Sequence, residues 1–406
     1  MDARALHSAL DRGRIMTTAS GVAAPSTTAE VREAVREASA RATPLRLVAR
    51  GTWLDAGRPV RVDHRLSVSA LDGITEYTPG DLTLTARAGT SLAEIRRATG
   101  AERQWLTLDP YGSDAGSLGA TIATGSAGAL AHAFGSARDH VLGLEVVTGT
   151  GAVVQAGGRV VKNVAGFDLA RLFTGAWGTL GVITEVTVRL RALPDVDESC
   201  AIPVADDAAS LDALAARLRA GAVAPLALEL VNGALAARLG LAHQPHLLVR
   251  LGGNEDEVRA QRTLLQTMGE LVATGTDVWG SVRAADPPGT AVARFSMLSS
   301  RIGECWSFAR AATVGVPGAL LHAALGRGVV RCIVPSSGAA ELGAFLEAAR
   351  AFEGTRIFER LPASRWTPDV APSAVADRLS RGIKHSYDPM HILNPGILGD
   401  DAGGAR

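Results

Sequence analysis

The chain has 406 residues, with 41 basic and 41 acidic side chains, so net charge gives no reason to expect a nucleic-acid partner. With 47% apolar and 20% charged residues it is globular, and 4% aromatics leave little stacking surface for single strands. Three widely spaced cysteines, Cys200, Cys305 and Cys332, argue against a disulfide framework, a zinc knuckle or an iron–sulfur cluster held by this chain alone.

The length predicts two or three domains. Nothing reads as a signal peptide or a membrane span, and the expected setting is reducing and cytoplasmic. Residues 1–24 are weakly patterned. Thr27-x-x-Glu30 is a capping box opening a helix through Val31, Val35 and Ala38, which Pro44 should stop. Pro44–Ala49 reads as a short buried strand. The turn Arg50-Gly51-Thr52-Trp53-Leu54 follows, either a phosphate loop or an ordinary surface turn. Leu82–Ala88 alternates as a half-buried strand. Ser91-x-x-Glu94 opens a second helix that closes at Gly100.

The stretch Asp109–Leu190 organises the rest. From Ala115 to Ala137 no residue is formally charged, and Gly116, Gly119, Gly125, Gly128 and Gly135 fall within it. That is too polar and glycine-rich for a membrane helix. It suits backbone amides that approach a large, flat, anionic ligand closely; a packed core turn is the plainer reading. A hairpin turns at Thr148–Gly151. The strand Val182–Leu190 should place Val182, Thr184, Val186, Val188 and Leu190 on one face.

A domain boundary is expected near residues 192–200. Residues 200–370 mix helical runs with strand-like runs and predict a second α+β domain, one antiparallel sheet with helices on one face. Near the end, Val375, Leu379 and Ile383 form a helical stripe, Asp388-Pro389 breaks it, and Asn394-Pro395-Gly396 makes a tight turn.

Several chemistries are excluded by motif. There is no P-loop, no G-x-G-x-x-G, no G-x-S-x-G and no H-E-x-x-H. Pro245 between His243 and His246 argues against a helical metal pair. His132 and His140 read as hydrogen-bonding or surface histidines. Lys162-Asn163 contacts a cofactor or begins a turn, and Trp177 reads as core.

Three stretches together resemble the FAD-binding oxidoreductases of the vanillyl-alcohol-oxidase (PCMH) type. They are GAWGTLGVITEVTVRL, the block DPYGSDAGSLGATIATGSAG with FGSARDHVLGLEVVTGTG, and KHSYDPMHILNPG. VVKNVAGFDLARLFTGAWGTLGV is similar to a segment of the glycolate oxidase FAD-binding subunits. The resemblance implies an α+β fold: a two-subdomain FAD-binding domain over residues 25–195, an α+β cap with an antiparallel sheet over 196–370, and a segment at 371–400 that returns to the flavin.

It also implies site residues. Arg50, Gly51, Thr52, Trp53 and Leu54 would cradle the pyrophosphate. Asp109, Ser117, Leu118, Gly119, Thr124, Gly125 and Gly128 would line the pyrophosphate and isoalloxazine. Gly181, Val182 and Ile183 would hold the adenosine end, and Asn394 would close over the ring. The first loop keeps one glycine where the family has several, with Arg50 a candidate to pair with phosphate. It lacks the histidine that some members join to flavin, so FAD is expected to be noncovalent.

No catalytic residue and no metal ligand is assigned, because the histidine-rich H-x-G-D-G-N run of the sister catalytic subunits is absent. Arg294, Arg301, Arg356 and Arg360 are candidates for a substrate carboxylate. The expected role is the FAD-binding subunit of a 2-hydroxy-acid (glycolate) oxidase, with a sister FAD-binding subunit and an iron–sulfur subunit as partners, and any membrane association through them. A stand-alone flavoenzyme for another alcohol or hydroxy acid, or a non-catalytic assembly subunit, are the alternatives.

Overall fold

The computed structural model describes residues 21–158, 168–275 and 277–399; Lys162 and Asn163 lie outside the described residues. Two larger sheets build the N-terminal part, beside a two-stranded pair of Gln104–Trp105 with Arg191–Ala192. The first has three parallel strands in the order Val22–Ala23, His64–Ser67, Leu45–Val48. The helix Thr28–Ala40 packs Val31, Val35 and Ala38 against it. Its cap is close to the expected box: Thr27 Oγ1 accepts from Glu30 N, while Glu30 reaches back one residue further, to Ser26 N at 2.7 Å. The helix ends ahead of Pro44, because Ala42 turns left-handed (φ 49°) and Thr43 N captures Ala38 O at 2.8 Å.

The second sheet is antiparallel, in the order Ile74–Thr78, Thr83–Arg87, Gly181–Arg189, Val141–Thr148, Val153–Gly157. The hairpin expected at Thr148–Gly151 is present, with Gly151 N bonded to Thr148 O. The Gly181–Arg189 strand departs from simple alternation. Glu145 lies opposite Glu185, but Val146 lies opposite Ile183, so Thr184 is an extra, bulged residue. Its hydroxyl donates to Glu145 Oε1 at 2.8 Å.

A one-residue bulge inverts side-chain parity. Ile183, Val186 and Val188 therefore share one core, while Val182 enters the other, beside Val31, Val35 and Leu45. The expectation that Val182 faces the same way as Val186 fails for this reason. One strand thus serves both N-terminal cores.

The third sheet has eight antiparallel strands, in the order Val272–Ala273, Val196–Pro203, His246–Gly253, Ala227–Val231, Leu320–Ala324, Val329–Pro335, Thr290–Ser296, Thr355–Arg360. Four longer helices, Ala208–Ala220, Glu255–Gln266, Ile302–Ala312 and Ala339–Arg350, cover one face around Trp306, Phe295 and Phe345. The other face is not bare, as the sequence suggested. Two short helices, Gly233–Arg238 and Val278–Arg283, pack Leu235, Ala236, Val278 and Val282 there. Their brevity leaves too few turns for a periodic signal.

The chain returns to the N-terminal sheets through the helix Arg378–Tyr387, capped by Asp377. Val375 precedes that helix and Leu379 is 72% exposed, so of the anticipated apolar stripe Ile383 is the member that packs against the core. Among the described residues, no helix is long and apolar enough to cross a membrane.

Candidate functional site

A long groove runs between the first sheet and the second. Its walls come from the strand Leu45–Val48 and the turn Ala49–Leu54, from the helix Leu118–Thr124, from Trp177–Gly178 and Gly181–Ile183, and from Asn394. It holds roughly 790 Å³ counting its open mouth, and its lining is mostly backbone and small or apolar side chains. Of the residues expected to contact a cofactor, Arg50, Gly51, Thr52, Trp53, Leu54, Gly119, Thr124, Gly181, Val182, Ile183 and Asn394 meet on this surface.

Local constraints explain the glycines. A Cβ on Gly119 would lie 2.6 Å from Ala88 Cβ, so glycine lets the helix sit hard against the strand. A Cβ on Gly181 would lie 2.4 Å from Val146 Cγ1 and 3.0 Å from Val147 O. Gly51 has φ 75°, a left-handed turn that costs other L-residues.

Arg50 is already engaged. Its Nε donates to Gly89 O at 2.7 Å and its Nη2 to Asp72 at 3.0 Å. Arg46 was missed from the sequence and is better placed. It lines the groove, its Nη2 reaches Leu54 O at 3.4 Å, and its Nη1 is buried without a partner. Burial and the neighbouring Arg65 lower its pKa from the ordinary arginine value. A buried guanidinium N–H lacking an acceptor marks a place for an anion. An arginine inside an otherwise apolar strand, PLRLVA, is the sequence signal that could have found it.

Trp177 is not core. It lines the groove and stacks on Trp53, with centroids 6.4 Å apart and planes at 21°.

Asn394 joins the two walls. Its Oδ1 accepts from Leu47 N at 2.8 Å, and its Nδ2 donates to Trp177 O at 2.8 Å. It is held by a buried cation one turn of structure away. Lys384 Nζ donates to Thr179 O at 2.8 Å, Asp388 Oδ2 at 2.8 Å and Leu393 O at 3.2 Å. Lys384, with Ile383 and Tyr387 packed on the second core, docks the C-terminal helix.

Asp109, Ser117, Leu118 and Gly128 stand behind the groove wall rather than on it. Ser117 caps the Leu118–Thr124 helix, and Leu118 is fully buried. Asp109 accepts from Leu130 N at 3.0 Å, and a Cβ on Gly128 would fall 2.3 Å from Asp109 O. Burial pushes the Asp109 carboxyl up to about 6, against the opposing pull of Leu130 N–H and Arg283. His140 is structural, bonded to Thr107 Oγ1 at 2.7 Å and Ser136 O at 3.0 Å. His246 bonds Gln244 O at the start of a strand. Among the described residues, no cluster of three His, Cys, Asp or Glu is set to hold a metal ion.

A second cavity, about 630 Å³ counting its mouth, opens on the eight-stranded sheet and is lined by Tyr111, Gly125, Arg294, His322, Arg327 and Arg331, among others. Gly125 belongs here, while its neighbour Thr124 belongs to the groove, so one peptide is common to both walls. Arg331 is 1% exposed, with Nε 2.7 Å from Glu359, Nη2 2.7 Å from Asp286, and Cζ 3.9 Å over the Tyr111 ring. Burial works against its charge, but Glu359 and Asp286 outweigh it and raise its pKa. Burial, then Glu229, raises the Tyr111 pKa, so Tyr111 is a neutral phenol. His322 Nδ1 is 3.0 Å from Glu229 Oε2.

Of the four arginines named from sequence, only Arg294 lines this cavity. Arg301 pairs with Glu304, Arg356 bonds Ala349 O and Val370 O, and Arg360 pairs with Asp55 at 2.8 Å.

The family model described as an FAD binding domain matches residues 19–157. The glycolate oxidase subunit GlcE of Escherichia coli (strain K12) is 35% identical over 259 residues, 63% of this chain and 68% of that protein. An uncharacterised FAD-linked oxidoreductase of Mycobacterium tuberculosis is 29% identical, over 93% of this chain and 90% of its own length. In structure the chain is similar to p-cresol methylhydroxylase with substrate bound, with a TM-score of 0.73 at 16% identity, covering 99% of this chain and 94% of that one.

Proposed function

The chain belongs to the FAD-binding oxidoreductases of the vanillyl-alcohol-oxidase (PCMH) type and is an FAD-dependent oxidoreductase, and on that premise we propose that it is the FAD-binding subunit of a complex that oxidises a small 2-hydroxy acid such as glycolate. The observation that carries the reading is the groove itself: a slot faced by glycine and apolar side chains, free of acidic residues on its lining, with one buried, unpartnered guanidinium N–H on Arg46. FAD is a flat ring system joined to adenosine through a pyrophosphate, and these features match it part by part.

In this reading residues 25–195 are the FAD-binding domain, 196–370 the cap, and 371–400 the segment that completes the site. The turn Arg50–Leu54 and Arg46 hold the pyrophosphate. Gly119 and Thr124 face it from the helix, Gly181–Ile183 hold the adenosine end, and Asn394 holds the tail against the ring. Asp109, Ser117, Leu118, Gly125 and Gly128 shape the wall from behind or from its cap side. Among the described residues the groove lining contains no His, Cys or Tyr, which supports noncovalent binding.

Once bound, FAD supplies a two-electron acceptor. The chain holds it, shields it and presents the cap cavity beside it. With three cysteines in the chain, too few for a cluster of four cysteine ligands, electrons leave through an iron–sulfur subunit, and a sister FAD-binding subunit completes the assembly. That the GlcE relative is named a subunit supports an assembly of this kind.

The test is to load the purified chain with FAD and mix it anaerobically with glycolate or D-lactate, alone and with co-expressed partners. Loss of oxidised-flavin absorbance is expected. Protein that retains no flavin, or flavin that no hydroxy acid reduces in either setting, refutes the proposal.

A further inference from the structure

We infer that the cap cavity holds the carboxylate of the small hydroxy acid and that His322 takes its hydroxyl proton, an inference that rests on the functional reading above. The cavity has the marks of a built site. His322 and Arg331 are each 1% exposed, both line it, and each keeps one nitrogen, Nε2 and Nη1, without a partner. Leaving buried polar atoms unmet is costly, so two in one cavity mark a place where a ligand supplies the bonds.

The two ends of the site differ in chemistry. Arg331 Nη1, Arg294 and Arg327 form the cationic end. Glu359 and Asp286, which lock Arg331 in place, are not on the lining; Glu359 also lies 3.5 Å from Arg294. Arg327 makes no ion pair among the described residues and adds an uncompensated charge at the mouth. A planar carboxylate suits such guanidinium donors.

The other end is His322. Its Nδ1–H donates to Glu229 Oε2 at 3.0 Å, so in the neutral ring Nε2 carries the lone pair. Tyr111, 5.5 Å from the imidazole by ring centroids and stacked under Arg331, lies between the two ends.

The shared wall at Thr124 and Gly125 puts this cavity next to the groove. With the carboxylate on the arginines, the hydroxyl on the next carbon reaches His322. The O–H proton passes to Nε2 and the C2–H hydrogen leaves with its electron pair to the bound flavin. The C–O bond becomes a carbonyl, giving a 2-oxo acid and a flavin reduced by two electrons.

The FAD-loaded full chain tests this with two readouts. Oxalate, a two-carbon dicarboxylate with no C2–H to lose, is titrated by its perturbation of the flavin spectrum. Glycolate and D-lactate are used for anaerobic reduction. Arg294→Met should weaken oxalate binding about tenfold or more, as expected for a lost charged hydrogen bond, at unchanged FAD content. His322→Gln should bind oxalate within a few-fold of wild type while its reduction rate at saturating hydroxy acid falls on the order of 100-fold or more. If His322→Gln loses FAD, His322→Asn replaces it.

Oxalate binding unaffected by both Arg294→Met and Arg327→Met overturns the carboxylate site. Reduction as fast in the His322 variants as in wild type overturns the proton role while leaving the proposed function standing. Wild type that binds oxalate through Arg294 yet is reduced by no hydroxy acid overturns the function and the proton role, and upholds the anion site.

Discussion

Replacing Lys384 with methionine tests how the C-terminal segment is held. Its side chain is 3% exposed and that of Asp388 0%, and the ammonium bonds three buried oxygens, on Thr179, Asp388 and Leu393. Removing one partner of a buried pair costs about 3–5 kcal/mol, because the other charge stays behind. Here the lower end applies: Asp388 retains N–H donors from Ile392 at 3.1 Å and Leu393 at 2.9 Å. A loss of about 3 kcal/mol lowers a melting midpoint by roughly 6–12 °C in units of this size.

The assay is thermal release of FAD, read by flavin fluorescence beside a far-UV melt. FAD should be released well below the wild-type midpoint, since Leu393 and Asn394 lose their anchor first. Adding Asp388→Asn should recover part of the loss but not all, since the double variant removes the stranded charge and still leaves two carbonyls unmet. Lys384→Met melting within about 2 °C of wild type, with unchanged flavin release, would refute the reasoning.

Arg46→Met should weaken FAD binding about 10- to 100-fold, measured by equilibrium titration, with little change in the melt of the FAD-free chain. Asp109 has its folded pKa raised from 3.8 to about 6 by burial, so its contribution to stability is complete below pH 3.8 and is lost as pH rises through 6. Asp109→Asn should therefore gain on wild type between pH 4 and pH 6, by about 3 kcal/mol at most, and hold that gain above; denaturant melts across this range check it. Gly119→Ala should cost about 1–3 kcal/mol in a melt, because the added methyl meets the Ala88 Cβ and backbone.

The fold was legible where pattern and chemistry coincided. Thr27 and Ser91 cap helices through the amides of Glu30 and Glu94, as their spacing required. The sequence misled where one residue altered register. Nothing local in VITEVTV marks Thr184 as a bulge, since that depends on how Glu145 sits opposite. In the cap, the strand Leu320–Ala324 is LLHAA, too alanine-rich to announce itself, and it carries His322. Arg331 also went unnamed as a site residue, although it is a lone cation in VVRCIVP, where a buried charge demands partners that only tertiary structure supplies. The groove residues followed from the glycine-rich block, while Arg50 and Arg46 exchanged importance because Asp72 and Gly89 O claim the former.

The bonds of Asn394 set an order of events during biosynthesis. Both groove walls, the Leu47 strand and the Trp177 turn, leave the ribosome long before residue 394, whose amide bonds to both. A nascent chain therefore carries the two walls without this bridge while the eight-stranded sheet is being made. Cofactor loading is then expected to follow the synthesis of this bridging segment. A chain truncated after Pro389 should retain its cap sheet by circular dichroism and hold no FAD through gel filtration.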